Sequence, residues 1–368
     1  MLFWVTRMPD VEADDLSRNA DVLVVIPCLN EEAHLPKVLG GLLRDAFGAT
    51  IVVADGGSTD DSKRIVATLA KAHANLVWVD NPMQRQSAAV NLAVRRHGAG
   101  VRWLVRVDAH ADYPANFVDR LRTAADASGA TSVVVPMVTQ GLTCFQRAAA
   151  TAQNSVLGTG GAPHRHVTKG AWVDHGHHAL FDLAGFMAVG GYDENFAANE
   201  DAELDRRLLT AGARIWLEPE AAITYYPRRN PVALFRQYRS YGKGRARNLR
   251  RHRAKIKLRQ MLPLAVLPVA ILAGIGAVLS PFWTKSLVLT LPALAWMFGC
   301  VVAGACLGIR QRSLCAGGSG FAAAIMHLAW SMGFVEEVLR RQPLPAPPNV
   351  LTFEKAPVCE DPRALSAA

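Results

Sequence analysis

Four short apolar runs constrain this chain more than any other feature. They cover 21–27 (DVLVVIP), 50–54 (TIVVA), 76–79 (LVWV) and 103–107 (WLVRV), and each stops at an acid or an amide. Continuous, β-branched runs of this length are strands buried on both faces. Between the first two, Leu35, Val38, Leu39, Leu42 and Leu43 share one face of a helix expected over 35–44. Residues 61–72, with Ser58 or Thr59 as cap, and 86–96 read as two further helices. Strand and helix alternating in this way predict an α/β domain: a mostly parallel sheet with helices on both faces. Residues 132–137 add another strand.

The chemistry is expected where the strands stop, because open α/β sheets bind ligands at their carboxyl ends. Those ends carry Asn30 and Glu31, Asp55, Asp80 and Asn81, and Asp108. No GxGxxG follows the first strand of this Rossmann-like unit, which argues against a dinucleotide. After the fourth strand, Asp108, His110 and Asp112 fall within five residues. Alternate side chains on extended backbone point the same way, so Asp108 and His110 can converge on one divalent cation. The other reading is a polar loop after a core strand. Asp112 is expected to cap a helix beginning near Pro114. Further on, Asn199-Glu200-Asp201 opens a helix whose apolar positions are Leu204, Leu208 and Leu209. The positive end of a helix dipole keeps an acid ionised. That pair is either a proton acceptor or a set of capping charges. Residues 172–178 (WVDHGHH) invite a zinc reading, but no cysteine is near and the spacing is not that of a closed site. A polar pocket wall and a structural polar cluster are the alternatives.

Charge and hydropathy divide the chain. The net charge is +9, yet 228–259 alone holds 13 Lys or Arg and no acid, so the remainder carries −4. Uncharged stretches follow at 261–283 and 286–309, each long enough to span a bilayer. A third, 313–335, contains His327 and either spans or lies in the interface. Basic residues flank both ends of the first pair, which places those flanks, and the α/β domain, in the cytoplasm. A nucleic-acid partner is not expected, because the basic segment abuts an apolar span and carries no binding motif. Attraction to anionic membrane lipid fits it better. Cys28, Cys144, Cys300, Cys306, Cys315 and Cys359 show no framework spacing and read as reduced thiols. The expected organisation is a flexible lead-in at 1–20 that is not a signal peptide, an α/β domain at 21–227, a basic segment at 228–260, membrane helices at 261–339 and a disordered tail at 340–368.

Four motifs, IPCLNEE at 26–32, DGGSTDD at 55–61, DAHADYP at 108–114 and GGYDENFAANEDAEL at 190–204, occur in order. Together they resemble family-2 inverting glycosyltransferases of the GT-A fold, in particular bacterial exopolysaccharide enzymes of the succinoglycan type. The likeness covers roughly 22–260. It implies that Pro27, Cys28 and Asn30 line the uracil and ribose of a UDP-sugar, with Glu31 at the sugar. Asp55 would contact uracil, although Gly56 stands where many relatives have a second acid. Arg85 would approach the diphosphate or remain a surface charge. Asp108 and His110 would hold Mn²⁺ or Mg²⁺, and Asp201, beside Glu200, would be the general base. His175, Gln237, Tyr241 and Arg245 would meet the acceptor or its diphosphate, and Gly242, Gly244, Arg245 and Arg247 would form a phosphate-gripping loop. The implied reaction moves a hexose, such as glucose, to a polyprenyl-diphosphate-linked sugar at the bacterial inner membrane, beside other polysaccharide assembly proteins. A polyprenyl-phosphate monosaccharide synthase and a non-catalytic export scaffold are the alternatives.

Overall fold

The computed structural model describes residues 19–160, 169–256, 258–340 and 343–354. The expected lead-in, most of the glycine- and histidine-rich 158–169 stretch and the chain beyond 354 therefore lie outside the described residues. In chain order the strands are β1 (Val22–Cys28), β2 (Thr50–Asp55), β3 (Leu76–Asp80), β4 (Trp103–Arg106), β5 (Ala111–Asp112), β6 (Ser132–Val135), β7 (Met137–Thr139), β8 (Ala171–Val173), β9 (His177–Asp182), β10 (Ile215–Leu217) and β11 (Ile223–Tyr225). The first four pair in parallel in the order β3-β2-β1-β4. Helices Leu35–Asp45, Ser62–Ala70 and Gln86–His97 make the crossovers.

The chain runs outward from β1 through β2 to β3, then returns to set β4 on the other side of β1. That reversal opens a crevice at the carboxyl ends of β1 and β4. Beyond β4 the sheet continues as β9-β6-β10-β8, where only the β6–β10 pair is parallel. A small second sheet, β5-β11-β7, lies apart from the first. Alternation along β1 fills two cores, with Val22, Val24 and Ile26 in one and Leu23 and Val25 in the other.

Three stretches, 260–279, 284–310 and 314–339, are long and apolar enough to cross a membrane by length and composition. The first two are 11% buried and the third 56%. The third is better covered because helix Ser319–Leu339 packs along helix Pro231–Arg251. The glycines explain the close approach. A Cβ at Gly333 would lie 1.9 Å from the Arg239 carbonyl oxygen, and one at Gly242 would lie 2.1 Å from that of Trp330. Small residues permit this contact between helices.

Several expectations change here. Gly242, Gly244, Arg245 and Arg247 are interior turns of a helix, not a phosphate-gripping loop. Five cations of the basic segment are taken up by ion pairs within the chain. Arg239 and Lys243 pair with Glu336 at 2.7 and 2.6 Å, Arg247 and Arg250 with Glu337 at 3.1 and 3.5 Å, and Arg251 with Asp193 at 2.9 Å. Cys144 and Cys315 are not reduced thiols but a disulfide across 171 residues. Asp112 caps no helix; it accepts from Lys37 and Tyr226, and the helix begins at Phe117 behind Asn116. Helix Ser62–Ala70 starts behind Asp61, because Ser58 is occupied by Asn30 and Asp55. Finally, 343–354 is no disordered tail. Leu351 is buried, and the segment is hydrogen-bonded to the α/β domain.

Candidate active site

Arg106 ends β4 directly beneath the crevice and is 5% exposed. A buried guanidinium needs carboxylate partners, and it bridges the two acidic motifs. Its Nη1 donates to Asp201 Oδ1 at 2.5 Å and to the Tyr192 hydroxyl at 3.1 Å. Its Nη2 reaches Asp108 Oδ1 at 3.4 Å. Tyr192 in turn donates to Asp201 Oδ1 at 2.8 Å, and Gln86 Nε2 donates to Asp108 Oδ1 at 2.7 Å. Residues 90 or more positions apart thus form one ionic cluster.

The protonation states follow. Burial opposes the Asp108 charge, but Arg106, His177 and His110 outweigh it and hold the pKa below the usual range. Burial also opposes the Asp201 charge, while Arg106, His178, His177 and the Tyr192 hydroxyl lower its pKa to about 2. Glu200 differs: burial and the neighbouring Asp201 charge raise it to about 7. The hydrogen bond from His110 Nδ1 to Glu31, 2.9 Å long, raises the histidine, against a smaller opposing effect of burial.

Asn199 aims the acidic pair. It sits in the left-handed region at φ 62°, just before helix Glu200–Thr210, and its Nδ2 donates to the Tyr241 carbonyl at 3.0 Å. Gly244 lets helix Pro231–Arg251 approach the same turn, since a Cβ there would lie 2.2 Å from the Ala198 oxygen.

Two cavities meet at Asp108 and His110. The smaller, about 210 Å³, is lined by Pro27, Cys28, Glu31, Gly56, Asn81, Arg85, Gln86, Asp108 and His110. Asn30 and Asp55 are not on its wall. Asn30 holds the turn: its amide donates to the Ser58 hydroxyl oxygen and its side-chain oxygen accepts from the Thr59 amide, at 2.8 Å each. The Asp55 carboxylate accepts from the amides of Gly57 and Ser58 at 2.9 Å each and from the Ser58 hydroxyl. Arg85 Nη1 donates to the Glu194 carbonyl at 2.5 Å.

The larger cavity, about 1050 Å³, starts at Asp108, His110, Glu200 and Asp201. It passes His175, Arg228, Gln237, Tyr241 and Arg245, and ends among Leu262, Val266, Trp296, Met326 and Trp330 of the apolar helices. His175 and His177 line this wall, whereas His178 is fully buried and bonded to Asp205 and Ser132. Among the described residues no group of three or more His, Cys, Asp or Glu is placed to hold a metal ion. Asp108 and His110 form a partial donor set, which suits a cation that takes its remaining ligands from a bound anion.

Sequence reasoning did not identify Arg106, Tyr192 or Gln86 as site residues, whereas His177 falls in the stretch read as a polar pocket wall. Arg106 had a signal: one cation interrupting an otherwise apolar strand.

A profile of Glycosyl transferase family 2 matches residues 23–186. The succinoglycan biosynthesis protein ExoA of Rhizobium meliloti (strain 1021) is 46% identical over 331 residues, 89% of this chain and 98% of that protein. The chain belongs to glycosyltransferase family 2. A solved structure, the mannosyltransferase PcManGT of Pyrobaculum calidifontis in complex with GDP-Man and Mn²⁺, superposes with a TM-score of 0.53 at 19% identity, covering 88% of each chain. That identity speaks to a shared fold, and the fold of this glycosyltransferase is GT-A. The matched family region ends at 186, so Tyr192, Glu200, Asp201 and the apolar helices lie beyond it.

Proposed function

We propose that this glycosyltransferase moves a hexose from a UDP-sugar to a polyprenyl-diphosphate-linked sugar, with inversion, at the bacterial inner membrane during exopolysaccharide assembly. The observation that carries this reading is the larger cavity, which joins Asp108 and Asp201 to a wall of tryptophan, leucine and methionine from the apolar helices. A soluble sugar has no use for the apolar end, whereas a lipid-linked acceptor places its chain there and its sugar at the acids. The likeness to ExoA, a succinoglycan biosynthesis protein, supports the exopolysaccharide context.

The nucleotide fits the smaller cavity between the β1 turn and Asn81-Arg85. Asp108 and His110 would hold Mn²⁺ or Mg²⁺, which supplies positive charge against a departing diphosphate. Asp201 stays ionised across the working pH range and faces the cavity, so it accepts the proton of the attacking hydroxyl. Arg106 and Tyr192 fix the carboxylate's orientation. Gln237, Tyr241, Arg228 and Arg245 lie along the acceptor's path. A second reading gives the proton to Glu200, because a pKa of about 7 suits a base working near neutrality.

The test uses purified protein in lipid nanodiscs with a UDP-hexose and Mn²⁺. UDP release should require a polyprenyl-diphosphate-linked sugar. Release with polyprenyl phosphate alone would assign the protein to monosaccharide-lipid synthesis, and no release with any acceptor would support a scaffold.

A further inference from the structure

Residues 343–354 follow the last apolar helix yet lie against the α/β domain. The Leu351 amide donates to the Met187 carbonyl at 3.0 Å, and the Glu354 amide to the Arg95 carbonyl at 2.8 Å. Leu351 is 9% exposed and packs in the same core cluster as Phe186, Tyr192 and Leu204. Gly190 is shaped to this contact. Its φ is +87°, and a Cβ would lie 2.1 Å from the Asn349 oxygen.

The segment grips both supports of the Tyr192 loop. The Glu354 carboxylate meets Arg95 Nε at 3.5 Å and Arg96 Nε at 3.1 Å. Arg95 also pairs with Glu194 at 3.4 Å. Asn91, one helical turn earlier, donates to the Tyr192 carbonyl at 2.8 Å and to the Glu194 carboxylate at 2.9 Å, and its oxygen accepts the Tyr192 amide at 2.9 Å. Tyr192 ends on Asp201. A continuous chain of contacts therefore runs from the strap to the acid that faces the acceptor.

We infer that 343–354 is a positioning strap: by seating the 187–195 loop it holds Tyr192 against Asp201, so that the segment emerging from the membrane helices sets the geometry of proton acceptance. This rests on Asp201 being the working acid, as proposed above. The strap touches neither donor nor acceptor, so its loss should affect turnover more than donor binding.

The test compares the full chain, a chain ending at residue 342, and Leu351→Asp in the full chain, all in nanodiscs. Two measurements are made: amide hydrogen exchange over 187–195, and transfer with a separate titration of UDP and Mn²⁺. Both variants should lose protection over 187–195. Turnover at saturating donor should fall about tenfold or more, with UDP affinity within about threefold of the full chain. Unchanged exchange over 187–195 would overturn the strap. So would an equal loss of UDP affinity and turnover, which would mark a structural role alone. Lost protection with unchanged turnover would overturn the catalytic link specifically; Asp201→Asn, assayed alongside, then shows whether the acid or the strap is at fault.

Discussion

The two cavities are built in opposite ways. The smaller cavity is walled by strand ends and turns between Pro27 and His110. The wall residues lie at or just beyond the carboxyl ends of the parallel strands β1 to β4 and on the start of helix Gln86–His97. The larger cavity draws on residues from Gln86 to Trp330. Its walls are helices held together by glycine contacts and by ion pairs between residues about 90 positions apart. One half is a sheet edge with local chemistry. The other exists only when the helices dock. Damage to the first should appear in nucleotide binding, and damage to the second in transfer with nucleotide binding spared.

The largest effect should come from breaking the element that serves both halves. Arg106→Met leaves Asp108 and Asp201 buried without their cation. Removing one partner of a buried ionic group costs about 3–5 kcal/mol. Thermal denaturation should show this loss, and both UDP binding and transfer should disappear. A melting temperature within a degree of wild type would mean that Arg106 does not bind the halves together.

On the nucleotide side, Asp108→Ala should abolish metal-dependent UDP binding, and His110→Ala should weaken it less, because water replaces a neutral ligand more readily than an anionic one. Calorimetry with and without Mn²⁺ reads the difference. Equal affinity of wild type and Asp108→Ala in the presence of metal would remove the assignment.

On the acceptor side, Gly333→Leu forces side-chain bulk against the Arg239 carbonyl. Overpacking of this kind costs about 1–3 kcal/mol. Transfer to a lipid-linked acceptor should fall several-fold while UDP affinity is retained. If both fall together, the halves are not separable.

A smaller effect concerns pH. Glu200 has a folded pKa of about 7, above its ordinary 4.5. The folded state therefore prefers the protonated acid, and this residue makes stability fall as pH rises from about 4.5 to 7. Asp201 has the opposite sign: its contribution is present above 3.8 and is lost only as pH falls towards about 2. Glu200→Gln should flatten the decline between pH 4.5 and 7 and raise the melting temperature relative to wild type above pH 7. A parallel pair of stability curves would contradict the raised pKa.

The same contrast governs what the sequence discloses. The parallel strands, the Asp108–His110 turn and the acid pair at 200–201 could be read because periodicity and short motifs are local. Asp55 was legible as an acid at a strand end, but not that its carboxylate turns back onto Gly57 and Ser58. The Arg239 and Arg247 partners were hidden, since Glu336 and Glu337 close on them only through docking of two helices. Cys144 and Cys315 had no spacing that could mark them as a pair. The 343–354 segment reads as proline-rich and loose in isolation; only the Leu351 pocket and the Arg95 carbonyl tie it down.

The division of labour itself is tested most directly at Asp201, which lines the larger cavity and not the smaller. Asp201→Asn keeps the shape of the side chain and an oxygen that can still accept from Arg106 and Tyr192, but cannot accept a proton. Reconstituted in nanodiscs with saturating UDP-hexose and a lipid-diphosphate sugar, it should turn over about 10²–10⁴-fold more slowly than wild type, with UDP affinity within a few-fold. Near-normal turnover would contradict the account and transfer the proton-accepting role to Glu200.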